Sequence, residues 1–147
     1  RSISLASEYQ PKGVVFGGLT KDCKIDFKKN EELLLHAKSL NLECTFHRAF
    51  DSCIEPIQSF KEIKALGFDW LLTSGQEISA ENGIPLLKKL NNLKNDKIKI
   101  LAGGGISPNN CHKFKHIEVD GIHFSIDKSQ TVEQQKIKNI LNQLSIN

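Results

Sequence analysis

The chain has 147 residues, of which 39% are hydrophobic and 25% are charged, so we expect one globular domain over residues 1–147 and not a disordered protein. Its formal charge of +3 comes from 20 basic and 17 acidic residues that are interleaved on predicted helix faces, which argues against a nucleic-acid partner. No apolar run reaches the roughly 20 residues of a membrane span, and the N-terminus lacks a signal-peptide core. We therefore expect a soluble protein without a membrane partner, located in the cytoplasm or in cytoplasm and nucleus.

Strand-like and helix-like segments alternate along the chain. The predicted strands are "GVVFGG", "LECTF", "DWLLTSG", "KIKILAGGG" and "DGIHFS". Helical periodicity follows each strand, in "IDFKKNEELLLHAKSLN", "EPIQSFKEIKALG", "SAENGIPLLKKLNNL", "SPNNCHKFK" and a last segment that begins near Thr131. Because no hairpin signal separates the strands, the alternation predicts a parallel sheet covered by helices.

Helix ends and inner faces can be predicted at several positions. In the second helix Pro56 suits the first turn and Gly67 suits the C-terminal cap. Pro85 indicates a kink or a late start in the third helix. Thr131 and Gln134 have the spacing of a capping box at the last helix. The predicted inner face of that helix is formed by Ile137, Ile140, Leu141 and Leu144.

Two architectures fit the alternation: an open doubly wound sheet of five strands, or part of a (β/α)8 barrel. In both, ligands bind beyond the carboxyl ends of the strands. The unusual residues of this sequence lie at those ends: His47, Arg48 and Asp51 after the second strand, Thr73, Ser74, Gly75 and Gln76 after the third, Gly103, Gly104 and Gly105 after the fourth, and His123 and Ser125 in the fifth.

The motifs "TFHRAFD", "LLTSGQ", "ILAGGGI" and "IHFS", in this order, resemble those of the CutC family of copper homeostasis proteins. "GVVFG" and Asp26 fit as well, so the resemblance runs from about Gly13 to Ser125. It implies an α/β, TIM-barrel-like fold, here a partial barrel of about five parallel strand–helix units that correspond to the last five of the family barrel. It also implies copper homeostasis and copper ion binding, with Cu(I) as the cofactor. The cysteines proposed to bind Cu(I) in relatives come from early strands and have no counterpart here.

A ligand site is predicted at the strand ends, and it would take copper or a small anion. His47 and His123 suit acid–base or metal chemistry, or they hydrogen-bond to neighbouring strand ends. Arg48 would hold an anion or would pair with Asp51. The predicted ligand-binding residues are His47, Arg48, Asp51, Ser74, Gln76, Gly103, Gly104, His123 and Ser125. Catalytic residues and metal ligands are not assigned.

Neutral donors and a glycine loop complete this predicted site. The "TSGQ" segment offers hydroxyl and amide donors for a phosphate, a carboxylate or a sugar hydroxyl, or it is a plain strand-to-helix turn. "AGGGI" resembles a phosphate-cradling loop, since backbone N–H groups ahead of a helix attract anions. The alternative to a copper protein is therefore an enzyme of unknown reaction that acts on a small anionic or sugar-like substrate.

The four cysteines are predicted to be reduced thiols, most of them buried. Cys23, Cys44, Cys53 and Cys111 form neither a C-x-x-C pair nor a zinc-like spacing. In an extended strand Cys44 and His47 point to opposite faces, so they cannot chelate one metal ion without a bulge.

A partial barrel also leaves unpaired strand edges. The edge residues are apolar and β-prone: Val14, Val15, Phe16, Ile122 and Phe124. Because such edges pair with other chains, we expect a homo-oligomer or aggregation.

Overall fold

Five strands and four α-helices alternate in the computed structural model, which describes residues 3–4, 9–94, 96–125 and 130–144. The strands are β1 (Gly13–Phe16), β2 (Glu43–Phe46), β3 (Trp70–Thr73), β4 (Lys99–Gly103) and β5 (Gly121–His123). The helices are α1 (Phe27–Ser39), α2 (Pro56–Leu66), α3 (Ile84–Leu93) and α4 (Gln130–Leu144), with the 3-10 helices η1 (Arg48–Ser52) and η2 (Cys111–Ile117). None of the helices in these ranges combines the length and the apolar character that crossing a membrane requires.

The strands form one parallel sheet in the order β1-β2-β3-β4-β5, so neighbours in sequence are neighbours in the sheet. A doubly wound sheet reverses its strand order about a switch point, and this sheet does not. The topology therefore confirms the partial barrel and decides between the two architectures that the sequence pattern left open.

Among the described residues, helices cover only one face of the sheet. On this helix-covered face the side chains are fully buried: Cys44, Phe46, Leu71, Thr73, Ile100 and Ala102. Alternate residues of a strand point to the opposite face. That open face carries Val15, which is 61% exposed, and a groove of about 280 Å³ lined in part by Thr45, Trp70 and Leu101.

The helix ends largely follow the predicted caps. The Asp26 side chain accepts the N–H of Lys29 at 3.2 Å at the start of α1. Helix α2 begins at Pro56 and ends at Leu66, with Gly67 as its C-terminal cap; the Gly67 φ of 95° is readily adopted by glycine. Helix α3 begins at Ile84, so Pro85 lies in its first turn and marks a late start.

The prediction for the last helix was partly wrong. Ile140 is buried and Leu144 is partly buried, but Leu141 is 57% exposed. The reason is geometric: consecutive helical residues lie about 100° apart, so the narrow stripe that packs on the core at Ile140 excludes Leu141. The predicted capping box depends on the side chain of Thr131, and the structure describes only the backbone at that position.

A repeated clamp joins neighbouring strands at their amino ends. Asp69, just before β3, accepts the N–H of Cys44 at 2.6 Å and pairs with Lys38. Asp120, just before β5, accepts the N–H of Ile100 at 2.8 Å and pairs with Lys94 at 2.6 Å. Lys38 precedes Cys44 in the sequence by the same number of positions as Lys94 precedes Ile100. Two pairs of strands, β2–β3 and β4–β5, are thus held in register by the same device.

Candidate functional site

The turn after β2 is organised by a histidine and a buried phenylalanine. His47 is the last extended residue, and its Nδ1 accepts the N–H of Ala49 at 3.2 Å, which caps η1. Phe50 is fully buried and anchors η1 on the core. As a result Arg48 and Asp51 are held on one rigid turn at the carboxyl end of the sheet.

Asp51 is the hub of a hydrogen-bond network that joins this turn to the end of β3. Its Oδ1 accepts the hydroxyl of Thr73 and the N–H of Gln76, the latter at 3.2 Å. Its Oδ2 accepts Arg48 Nε at 2.7 Å and the hydroxyl of Ser74 at 2.9 Å. The side chain is 11% exposed, and both oxygens are engaged by donors of the protein. Asp51 therefore braces the site and offers little to a ligand.

The "TSGQ" segment is a locked turn. Gly75 and Gln76 both have positive φ, 72° and 61°, and a Cβ on Gly75 would clash with the backbone of Gly83. The Gln76 side-chain amide donates to the carbonyl oxygens of Phe50, at 3.1 Å, and Cys53, at 2.6 Å. Its donors tie the β3 loop to the β2 loop, and they are not directed to a ligand.

Arg48 both braces the site and faces its open space. Nε contacts Asp51, and Nη2 donates to the Ser74 hydroxyl at 2.9 Å. Nη1 lies next to Gly104, where an added Cβ would come within 3.3 Å of it. The side chain is 44% exposed. Part of the guanidinium fork is thus fixed by the protein, and the remaining N–H groups are available to a ligand.

The glycine loop after β4 has a backbone that favours glycine. Gly104 and Gly105 have φ of 127° and 67°. The Gly104 carbonyl accepts the N–H of Ala80 at 2.8 Å, and the Gly105 carbonyl accepts the Asn110 side-chain amide at 3.0 Å. Within the described ranges, the N–H groups of Gly104 and Gly105 have no acceptor. They are therefore free to bind an anion.

A pocket of about 190 Å³ lies at the carboxyl ends of β3, β4 and β5. Its lining residues are Arg48, Leu72, Gly104, Gly105, His123, Phe124 and Ser125. Lys136 of α4 donates to the Ser125 carbonyl at 2.7 Å, so a second cation lies beside it. The pocket thus combines positive charge, backbone donors and one histidine.

The nine predicted site residues have different places. Four line the pocket: Arg48, Gly104, His123 and Ser125. Three form the brace beside it: Asp51, Ser74 and Gln76. His47 caps η1. Gly103 is a strand residue that pairs with His123, and Leu72 and His123 lie so close to it that a side chain at position 103 would have no room.

A second brace supports the glycine loop, and sequence reasoning missed it. Asn110 donates to Glu81 at 3.2 Å as well as to Gly105, and Lys113 pairs with Glu81. Hydrogen bonds from Lys113 and Asn110 hold the pKa of the Glu81 carboxyl below its usual range. Partners so distant in sequence give no local signal, so only the fold reveals them.

The thiols do not form a metal site in the described part of the chain. Cys44, Cys53 and Cys111 are buried, as predicted, and Cys23 is exposed. Burial raises the pKa of the Cys44 and Cys53 thiols, which disfavours the thiolate form that binds metals. In the ranges that the structure describes, no group of three or more histidine, cysteine, aspartate or glutamate side chains is placed to hold an ion.

The sequence is similar to one known family over most of its length. The family model described as "CutC family" matches residues 1–128. A family protein CutC of Bacteroides fragilis is 41% identical over 130 residues, which are 88% of this chain and 51% of the relative. The chain therefore spans about half the length of the curated relatives that it matches.

Solved structures give the same picture. The crystal structure of the "Putative Copper Homeostasis Protein CutC" from Streptococcus agalactiae superposes with a TM-score of 0.75 and 29% identity, covering 82% of this chain and 59% of that one. A 3-keto-L-gulonate-6-phosphate decarboxylase from Vibrio cholerae has a TM-score of 0.67 at 15% identity, covering 97% of this chain and 65% of the decarboxylase. The second likeness concerns the fold alone.

Proposed function

Because this chain belongs to the CutC family, we propose for it a molecular activity that the family name does not specify: the pocket at the strand ends binds a small organic anion with a phosphate or carboxylate group. The observation that carries the proposal is the position of Arg48. Its guanidinium is held by Asp51 and Ser74, and Nη1 lies against Gly104 at the pocket wall.

The chemistry of the pocket favours an anion for three reasons. Charge-assisted hydrogen bonds from a guanidinium to phosphate or carboxylate are stronger than neutral ones. The fork is pre-oriented, so little side-chain entropy is lost when a ligand binds. The N–H groups of Gly104 and Gly105 add donors that cost no side-chain ordering.

Copper homeostasis is the role that the family name suggests, and copper ion binding is the finer function that we first expected. The described residues fit a Cu(I) site poorly. Cu(I) prefers soft thiolates, but Cys44 is turned into the helix-covered face and its thiol pKa is raised. We therefore propose copper homeostasis as a family role, and anion binding as the activity of this chain.

A second candidate is an enzyme that acts on a small anionic or sugar-like substrate. The observation that favours it is His123, an exposed imidazole that lines the same pocket as Arg48. An imidazole at this place is positioned to act as a general acid or base toward a bound substrate. The reaction itself is not specified by this arrangement.

Calorimetry tests the anion site. Sulfate, phosphate, small carboxylates and sugar phosphates are titrated into the wild type, Arg48→Ala and Lys28→Ala, which removes an exposed cation on α1. We expect binding in the wild type and in Lys28→Ala, and a loss of at least about tenfold in Arg48→Ala. Absence of binding in the wild type, or equal binding in Arg48→Ala, contradicts the proposal.

A further inference from the structure

Cys23 lies at the tip of a short hairpin between β1 and α1. Leu19 and Ile25 form an antiparallel bridge at the base of this hairpin, and Thr20 donates its N–H to the Lys24 carbonyl at 2.8 Å. The Cys23 N–H donates to the Thr20 carbonyl at 3.1 Å and closes the tip, with a φ of 54° at Cys23. Cys23 is exposed. An exposed thiol is thus presented on a hydrogen-bonded loop.

Cys53 ends η1 on the loop that follows β2. Its N–H donates to the Phe50 carbonyl at 3.0 Å, and its carbonyl accepts the Gln76 side-chain amide at 2.6 Å. The residue is only 5% exposed, so its sulfur is shielded from molecules in solution. The main chain of Cys53 is therefore fixed on both sides of a buried thiol.

One main-chain hydrogen bond joins the hairpin tip to the end of η1. The Ile54 N–H donates to the Cys23 carbonyl at 3.3 Å. The nitrogen is two covalent bonds from the Cα of Cys53, and the oxygen is two bonds from the Cα of Cys23, so these Cα atoms lie within about 8 Å of each other. A disulfide spans Cα separations of up to about 6.8 Å. A small movement of an exposed hairpin tip is enough to bring the pair into that range.

The two thiols interact, and they differ in their access to an oxidant. Burial raises the pKa of the Cys53 thiol, a hydrogen bond with Ser59 acts to lower it, and the nearby Cys23 acts to raise it again. Burial and a raised pKa make Cys53 a poor target for an oxidant from solution. Cys23 is exposed and can be reached directly.

We propose that Cys23 and Cys53 are a redox-active pair that a small-molecule disulfide converts into an intramolecular disulfide. The Cys23 thiolate attacks one sulfur of the oxidant, forms a mixed disulfide and releases one thiolate. The Cys53 thiolate then attacks the Cys23 sulfur and releases the second. The two protons that the cysteines lose pass through water to the released thiolates, so the oxidant is reduced to two thiols.

This inference does not depend on the proposed anion site. It revises the expectation that all four cysteines stay reduced, and the free thiols of the structure are the reduced state of the pair. Oxidation would add a covalent link where one hydrogen bond now joins the hairpin to η1, the turn that carries Arg48 and Asp51.

Oxidised glutathione added to the folded chain tests the pairing, and mass spectrometry of peptides prepared without reduction identifies the products. We expect the wild type to lose two of its four thiols, counted after unfolding, and to yield a linked Cys23–Cys53 peptide. In Cys53→Ser the mixed disulfide with glutathione should persist on Cys23, and in Cys23→Ser neither product should form. The controls Cys44→Ser and Cys111→Ser should yield the same linked peptide as the wild type.

Three results of this experiment would overturn the proposal. The first is a mixed disulfide that persists on Cys23 in the wild type, because it would show that Cys53 does not reach it. The second is a disulfide between the Cys23 residues of two chains, which a non-reducing gel detects at the mass of a dimer. The third is the absence of any oxidised product.

Thermal melting tests whether the native fold accommodates the bond. A link between positions 23 and 53 restricts the unfolded chain, so the oxidised wild type should melt about 5 °C or more above the reduced protein. Cys23→Ser should melt at the same temperature with and without oxidised glutathione. A melting temperature that does not rise in the linked wild type would show that the bond distorts the fold, and would overturn the pairing.

Discussion

Arg48 Nε and Asp51 Oδ2 are 2.7 Å apart across one turn of η1, and this pair links the pocket to the frame that supports it. Asp51 is largely buried, and it accepts backbone and hydroxyl donors from the end of β3. The carboxylate therefore does two things: it orients the guanidinium, and it fixes the distance between the β2 and β3 loops.

Replacing Asp51 with asparagine should destabilise the fold and weaken anion binding together. The amide would present N–H groups to a site built only of donors, so hydrogen bonds to a charged group are lost, at a cost of about 2–3 kcal/mol. Urea denaturation measures the free energy of unfolding, with Asp22→Asn, at an exposed position, as the control. A change below about 0.5 kcal/mol would show that the network is not a brace.

Replacing Gly104 with alanine should impair binding more than a matched glycine change does. At φ of 127° an alanine is strained, by about 1–3 kcal/mol, and its Cβ would crowd Arg48 Nη1. Gly67→Ala is the control, since Gly67 also has a positive φ but has open space around it. Calorimetry with sulfate should show a loss of affinity in Gly104→Ala only; equal losses would remove the glycine loop from the site.

Acid should weaken the clamp at Asp120. Burial acts to raise the pKa of this carboxyl, but hydrogen bonds from Lys94 and the Ile100 N–H lower it overall. Because the carboxyl has a lower pKa in the folded state than in the unfolded state, its ionised form stabilises the fold at pH values above the unfolded-state pKa of about 3.9. This stabilisation is lost as the pH falls through the folded-state pKa. Unfolding free energies of the wild type and Asp120→Asn should thus converge toward pH 3 and differ by about 1 kcal/mol at pH 6. A difference that stays constant across this range would contradict the linkage.

The chain should bind Cu(I) weakly in competition with a Cu(I)-specific chelator. Burial raises the pKa of the Cys44 and Cys53 thiols, and no metal-binding cluster is present among the described residues. Cys23→Ser and Cys111→Ser should change little. Tight one-to-one binding that survives Cys111→Ser but is lost in Cys44→Ser or Cys53→Ser would show that a copper site exists and that we have misplaced it.

The open face of the sheet should drive self-association. Val15 is 61% exposed there, and the outer edges of β1 and β5 have no partner strand among the described residues. Sedimentation velocity should detect oligomers or aggregates, and Val15→Lys should reduce them more than Leu35→Lys, which changes an exposed leucine on α1. A monomer with a sharp, reversible thermal transition would mean that the sheet needs no cover.

Periodicity and caps were enough to predict the place of every strand and the bounds of α2, because these signals are local, but they left the start of α3 open between Ser79 and Pro85. The division of the site into pocket and brace was not predictable. Whether Gln76 donates to a ligand or to Phe50 and Cys53 depends on how two loops meet, and this is a tertiary property. The burial of Asn30 on α1 was not predictable for the same reason, because its side-chain amide hydrogen-bonds to the backbone of Gly18 in a distant loop.

The clamps at Asp69 and Asp120 lie at the end of the sheet opposite the pocket. The two clamps thus align the strands at one end of the sheet, and the proposed anion pocket lies at the other end. These two clamps hold β2 with β3 and β4 with β5 without any of the residues that line the proposed pocket. Sequence change at the pocket can therefore alter what is bound while the strand register persists, so this scaffold can acquire new ligand preferences without first being rebuilt.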